Sequence, residues 1–255
     1  MIELPTTPSF GLHGRHALVT GAGRGIGAAA AAALADAGAH VTLVARSTAE
    51  IENLAAAIEK AGGRADALQL DVSDLDAAAV AIRAAGPFDI LVNNAGTNRP
   101  APFLEVSNAD FDAVMDLNVR AAFFVAQAVA RQLVGIGRAG SIINVSSQMG
   151  HVGSAKRSVY CASKWAMEGF SRAMAIELAP YGVRVNTLCP TFIDTPMTKP
   201  FFENPEFRAD VLSRIKLGRL GSVRDLMGGI VFLAGDASAL MTGTSLIVDG
   251  GWTSE

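Results

Sequence analysis

Seven short apolar runs alternate along this chain with longer alanine-rich segments, and that rhythm restricts the fold more than any other feature. The runs are HALVTGA (16–22), HVTLVAR (40–46), ADALQLDV (65–72), DILVNNAG (89–96), SIINVSS (141–147), VRVNTLCP (183–190) and SLIVDGG (245–251). Most are nearly continuous in apolar residues instead of alternating, as expected of strands buried on both faces. Segments such as IGAAAAAALADAG and TAEIENLAAAIEKAGG carry helical spacing between them. Strand, helix, strand in repetition predicts an α/β fold: a doubly wound parallel sheet of about seven strands, with helices on both faces. No linker, repeat or low-complexity tract interrupts 15–251, so one domain is expected over 1–255. Residues 1–14 read as an arm before the first strand. The longest irregular stretch, PTFIDTPMTKPFFENPEF, marks 190–218 as a lid over the substrate region.

Composition removes several function classes. The 255 residues carry a net charge of −3 with no basic block, so neither nucleic acid nor an anionic membrane is an expected partner. No uninterrupted run of about 18 apolar residues suggests a transmembrane helix. The N-terminal residues lack the basic-then-apolar pattern of a secretory signal, so a cytoplasmic location is expected. The two cysteines, Cys161 and Cys189, read as reduced, packed thiols. Neither they nor His151 has a partner at metal-ligand spacing, and no metal is expected.

The first strand runs into TGAGRGIG (Thr20–Gly27) and then a helix. Gly21, Gly25 and Gly27 let the turn tighten and let a pyrophosphate approach the backbone, while Ile26 lies in the same turn. The following helix presents free N–H groups and its positive dipole end to phosphates. A dinucleotide site normally places an acid at the end of the second strand for the ribose 2′-hydroxyl. Here that strand ends in Ala45, Arg46 and Ser47, with no acid before Glu50, and Arg24 sits inside the glycine turn. Two arginines suit a 2′-phosphate, so NADP is expected in preference to NAD.

In SVYCASKWAMEGF, Tyr160 and Lys164 share one face of a helix. A phenol is almost wholly protonated at neutral pH, and a cation beside it lowers its pKa into the range of acid–base work. At the C-terminal end of the fifth run, Ser146 and Ser147 compete to place a hydroxyl against the substrate oxygen.

These pieces together resemble the short-chain dehydrogenase/reductase family over nearly the whole chain: TGAGRGIG, NNAG (93–96), Asn118 in MDLNVR, Ser147, YCASK and VNTLCPTFIDTP. The resemblance implies a Rossmann fold, a homotetramer, and hydride transfer between a nicotinamide and a CH–OH or ketone carbon. It selects Ser147, thirteen residues before the tyrosine, as catalytic, with Tyr160 as acid/base. Lys164 would tune the phenol and bind the nicotinamide ribose. Asn118 would distort its helix and hold a water relaying protons to Lys164. Asp71 and Val72 are similar to adenine contacts. Asn93, Ala95 and Gly96 match residues that flank the adenosine ribose and stabilise the sheet. Pro190, Ile193 and Thr195 correspond to positions that grip the carboxamide. One departure is Thr191, where the family usually has glycine after the proline. Threonine restricts the backbone and adds a side chain near the nicotinamide.

The substrate end is written less clearly. Gln148, Met149 and His151 follow the catalytic serine, and Thr191 stands across from it. Lys156 and Arg157 precede the catalytic helix, where either a solvated loop or a reader of sugar hydroxyls or an acidic group is compatible with their charge. Asn98 and Arg99 face the same region by topology, and Phe201 and Phe202 either close an apolar wall or anchor the lid. The expected substrate is a small polar hydroxy or keto compound, such as a sugar, polyol or sugar acid. The alternatives are a 3-oxoacyl thioester reductase-like activity, a dehydratase or epimerase, and a nucleotide-binding regulator without turnover.

Overall fold

Each apolar run becomes a parallel strand in the computed structural model, which describes residues 4–254. The strands are β1 (His16–Thr20), β2 (His40–Ala45), β3 (Arg64–Gln69), β4 (Ile90–Asn93), β5 (Gly140–Val145), β6 (Val183–Pro190) and β7 (Ser245–Val248). They form one seven-stranded sheet in the order β3-β2-β1-β4-β5-β6-β7. The intervening segments form α1 (Gly25–Asp36), α2 (Thr48–Lys60), α3 (Leu75–Ala85), α4 (Asn108–Met115), α5 (Ala122–Gly135), α6 (Ser158–Leu178), α7 (Pro205–Arg214) and α8 (Arg224–Ala234).

The sheet separates two apolar clusters. Leu34, Ile51, Leu226, Ile230 and Leu233 bring α1, α2 and α8 onto one face. Ile82, Val125, Val129, Leu133 and Ala175 bring α3, α5 and α6 onto the other. The chain winds outward in both directions from β1 and β4, which pair through Ala17↔Ile90 and Val19↔Val92. Strand order reverses there, and the crevice this leaves at the carboxyl ends of the strands is where ligands of open α/β sheets bind.

A line of buried polar groups crosses the apolar sheet. Asn93 Nδ2 donates to Asn144 Oδ1 at 3.2 Å and to the Ala122 carbonyl at 2.7 Å. Asn144 in turn donates to Ser171 Oγ at 2.8 Å, so β4, β5, α5 and α6 are locked in register. Each amide is buried, and each finds the partner that burial demands.

Three elements differ from the sequence expectation. The described part of the arm is docked: Leu12 is buried and its N–H donates to the Ala37 carbonyl, while residues 1–3 lie outside the described residues. The lid is not irregular throughout. It contains a short turn at Lys199–Glu203 and then α7, started by Asn204 accepting from the Phe207 N–H and by Pro205 in the first turn. Finally, 108–135 is long and apolar enough by composition to cross a membrane. Its Val125, Val129 and Leu133 are spent on the core beside α3, as expected of a core helix in a doubly wound sheet.

Candidate active site

Two glycines open the site because the backbone takes left-handed values at Gly21 (φ 62) and Gly25 (φ 59). A Cβ at Gly27 would run into the Gly21 carbonyl and the Asn94 amide, so the first turn of α1 can approach β1 closely only as glycine. Asn94 Nδ2 holds the turn by donating to the Thr20 carbonyl at 3.0 Å and the Gly21 carbonyl at 3.1 Å. The Thr20 hydroxyl accepts from the N–H groups of Asn94 and Ala95, both at 3.0 Å. No side chain caps the N-terminus of α1. Its N–H groups are left to an anionic ligand, and a pyrophosphate fits that chemistry.

The adenosine end carries the arginines. Arg24 and Arg46 are both exposed, and their nearest carboxylates are Glu50 at 3.9 Å and Asp71 at 4.0 Å, contacts too long to occupy the guanidinium groups. Ser47, exposed at the N-cap of α2, uses its side chain for no capping bond. A 2′-phosphate would meet two arginines, a hydroxyl and a helix N-terminus here. The acid sought at the end of β2 is absent from the sequence there, yet the fold returns Glu50 to the glycine turn. Asp71 is committed to Ser73, whose hydroxyl bond holds its carboxyl below the usual range, and Val72 is buried. Asn93 is wholly engaged in the buried polar line and stabilises the sheet without facing a ligand. Gly96 lies under Asn118, where a Cβ would sit 3.1 Å from Oδ1.

The proton-handling groups stand around one open cleft at the crevice. Ile26, Asn94, Gly96, Ser147, Tyr160, Lys164, Pro190, Thr191, Ile193 and Thr195 line it, so it joins the glycine turn to the catalytic helix. Strand β5 ends just before Ser147, and the Ser147 hydroxyl accepts from the Met149 N–H at 3.1 Å and donates to Gln148 Oε1 at 2.8 Å. Ser146 lines the same cleft, but its hydroxyl finds no hydrogen-bond partner. Lys164 Nζ lies 5.6 Å from the centre of the Tyr160 ring. The two side chains therefore share a helix face, as the spacing predicts.

Burial pushes the Tyr160 phenol up to about 12, against a smaller lowering by its hydrogen bond with Ser147. Burial also pulls Lys164 down to about 8, and its ammonium donates to the Val145 carbonyl at 2.7 Å. Asn118 sits in a π-helical turn, Asp116–Ala121, which agrees with a distorted helix. Its side chain bonds both main-chain groups of Thr97 (2.8 and 2.9 Å) and Ser163 Oγ (3.1 Å). Only its main chain is left to hold a relay water.

On the substrate side, Thr191 has an ordinary backbone: among the described residues Lys156 alone of the non-glycines has positive φ. The concern about restriction therefore falls away, and the Thr191 hydroxyl is buried in the cleft wall without a partner. Gln148 is buried beside Ser147 with its Nε2 free. Lys156 is exposed, but Arg157 is 5% exposed, which removes the solvated-loop reading for it. Phe202 anchors the lid against Phe192, whereas Phe201 covers the Arg157 guanidinium at 4.6 Å. His151 turns away from the expected role. Its Nε2 lies 3.4 Å from Cys189 Sγ, and Cys189 donates to the buried Glu168 carboxylate at 3.3 Å. Glu168 also accepts from Thr187 and Ser245. Spacing along the chain hid this convergence of His151, Glu168 and Cys189, because the three come from different elements.

Sequence reasoning also missed Asn94 and Thr20, although both lie inside quoted motifs. No pattern says which amide of the NNAG run turns to the glycines. A larger cleft at the opposite edge of the sheet is lined by Arg15, Asp89, Arg184 and Asp236. Arg15 is paired with Asp236 and Asp89 with Arg138, Arg184 donates to the Leu233 and Gly235 carbonyls, and no residue of the glycine turn lines it.

The family model of short chain dehydrogenases matches residues 15–206. The chain belongs to the short-chain dehydrogenase family. It is therefore an NAD(P)-linked oxidoreductase of CH–OH groups on a Rossmann fold. A D-erythrulose reductase of Gallus gallus is 44% identical over 245 residues, covering 96% of this chain and 98% of that protein. An L-xylulose reductase of Bos taurus is 41% identical over 241 residues, covering 94% and 97%. Among solved structures, a gluconate 5-dehydrogenase from Burkholderia cenocepacia J2315, in complex with NADP and tartrate, superposes with a TM-score of 0.93. It is 37% identical, covering 96% of this short-chain dehydrogenase and 98% of its own chain.

Proposed function

We propose that this short-chain dehydrogenase interconverts a secondary alcohol and a ketone on a small polyhydroxylated substrate with NADP(H), acting as one catalytic unit over 1–255. One observation carries the reading: a single cleft connects the uncapped N-terminus of α1 to Ser147, Tyr160 and Lys164. The nicotinamide, when bound, supplies the site to which or from which the hydride passes. Asn94 and the glycines would hold the pyrophosphate, and Lys164 would meet the nicotinamide ribose. Pro190, Ile193 and Thr195 would border the carboxamide.

Tyr160 holds its proton at neutral pH, the form that donates to an oxygen becoming an alkoxide during ketone reduction. Ser147 gives the same oxygen a second hydrogen bond as its charge grows. In the oxidative direction the phenolate takes the hydroxyl proton back. Asn118 would complete the path from Lys164 to solvent through a water on its main chain. The ketose reductases and the NADP-bound gluconate dehydrogenase named above support both the substrate class and the cofactor. The exposed Arg24 and Arg46 support NADP independently.

Assembly is part of the proposal. Phe111, Phe123 and Phe124 on the α4–α5 segment and Trp165 and Ile176 on α6 expose large apolar side chains, and Phe123 packs edge-on against Phe170 of α6 at 5.7 Å. A continuous apolar face of this kind suits burial between copies of the chain in a homotetramer. The two free thiols, Cys161 and Cys189, suit a reducing cytoplasm.

The test is oxidation of NADPH and of NADH, followed by absorbance, with ketoses, keto-aldonates and simple ketones. Turnover of a polyhydroxylated ketone with NADPH at least tenfold faster than with NADH is expected. Arg46→Asp should reverse much of that preference. A wild-type enzyme that favours NADH would overturn the cofactor assignment, and turnover of 3-oxoacyl thioesters alone would overturn the substrate class.

A further inference from the structure

Arg157 is the least explained charge in the molecule. It is 5% exposed, and its NH1 has no hydrogen-bond partner. Buried guanidinium groups are ordinarily matched by carboxylates, because desolvating a cation without a counter-charge is costly. The charges acting on Arg157 come from Tyr160 and Cys161, with no carboxylate among them, and burial pulls its pKa down. Its guanidinium instead lies 4.6 Å from the ring centre of Phe201 and 5.9 Å from that of Phe207. Phe201 is in the lid turn and Phe207 in α7. The arginine is thus one helical turn before the catalytic tyrosine and is roofed by lid aromatics. Two more buried polar atoms lie free near the reacting centre, Nε2 of Gln148 and the hydroxyl of Thr191.

We propose that Arg157 binds a carboxylate on the substrate, so that the enzyme acts on a sugar acid in preference to a neutral sugar or polyol. The inference rests on the oxidoreductase reading of the same cleft and narrows its substrate. The carbinol or ketone carbon lies at Tyr160 and Ser147. The carboxylate end of the same short carbon chain reaches under the lid to the guanidinium. The free NH1 supplies a charge-assisted hydrogen bond that a neutral substrate leaves unmade. The Phe201 and Phe207 faces hold the cation in place and keep water from weakening the pair.

The test compares D-gluconate with glucitol, its neutral six-carbon counterpart, as substrates for oxidation by the wild-type enzyme with NADP. The expected kcat/KM ratio favours gluconate by about tenfold or more, the gain of one hydrogen bond to a charged group. Arg157→Gln should lower that ratio at least tenfold, chiefly through KM, and Arg157→Lys should restore part of it. A wild-type ratio at or below one would overturn the proposal. So would an Arg157→Gln variant that slows both substrates equally, because the arginine would then be only a latch between the lid and α6. Calorimetric titration of the wild-type enzyme–NADPH complex with D-gluconate and D-tartrate, which the reduced cofactor cannot oxidise, gives a readout independent of turnover and of any variant's folding. Absence of heat with both acids, where NADPH itself binds, sinks the carboxylate site alone. Failure to bind NADP or NAD sinks the oxidoreductase reading beneath it.

Discussion

Tyr160 and Lys164 show one cause acting on two groups with opposite signs of charge. Desolvation keeps the phenol protonated and pulls the lysine down to about 8, so burial weakens the charged form of both groups. For Lys164 the consequence for stability follows from proton counting. The unfolded lysine binds its proton up to about 10.5 and the folded one only to about 8, so between those values the unfolded chain holds more protons. Stability against unfolding should therefore rise with pH from about 8 toward 9, until the buried Cys189 thiol, raised from 9.0 to about 12, and then the raised Tyr160 above 10 begin to act in the opposite direction. Urea midpoints of the cofactor-free protein measured across that interval should show the rise, and Lys164→Met should flatten it. A rise of equal size in the variant would assign the effect to another group. At the same scale, Tyr160→Phe removes the only phenolic proton in the cleft. Turnover should fall about a hundredfold or more, with the Kd for NADPH changed by no more than a few-fold. A variant that keeps a tenth of the wild-type rate would show that another group moves the proton.

Elements in this fold are joined by a few polar bonds as well as by apolar packing. Asn144 on β5 accepts from Asn93 on β4 and donates to Ser171 on α6, and all three are buried. Asn144→Ala leaves the Asn93 Nδ2 with the Ala122 carbonyl alone and strips Ser171 of a donor. The expected loss is about 1–3 kcal/mol, measured by urea unfolding. Leu34→Ala, which hollows the opposite face of the sheet, should cost about 2–5 kcal/mol by the same measurement. If Asn144→Ala were neutral, the polar line would be a by-product of strand register and not one of its causes. Placing the line beside the catalytic strand end has a functional side too. β5 carries Ser147 just past its terminus, and α6 carries Tyr160 and Lys164, so fixing β5 against α6 fixes the distance between the hydroxyls.

For the whole molecule, exposed Phe111, Phe123, Phe124, Trp165 and Ile176 give the α4–α5 and α6 segments an apolar face. Phe123→Glu places a charge in the middle of that face and should shift the protein to a smaller species in size-exclusion chromatography coupled to light scattering. Wild-type protein that elutes as a monomer would remove the tetramer from the proposal. The sheet itself imposes a second global order. Groups at the carboxyl ends of β1, β4, β5 and β6 meet at one crevice, because all strands are parallel and the winding reverses between β1 and β4. The glycine turn, Asn94, Ser147 and Pro190 meet there from separate stretches of chain for that reason alone.

The sequence determined the strands and their parallel pairing and named the proposed reacting set, because each of these is written in local terms. A buried parallel strand needs an apolar run, a pyrophosphate turn needs glycine, and a phenol reaches a lysine four residues on. The lid helix α7 went unread, although the Asn204-Pro205 pair that starts it lies in the quoted stretch. Tertiary structure alone decided the charge state and the company of the site's groups. Whether Arg157 is solvated or sealed beneath Phe201 depends on where the lid lies, and spacing along the chain carries no such information. The direction of the Tyr160 shift likewise depends on how much water the fold excludes. His151, Glu168 and Cys189 meet only because the turn after β5, helix α6 and strand β6 come together in space. Burial and long-range contact are properties of the packed volume, and a pattern read along one dimension contains neither.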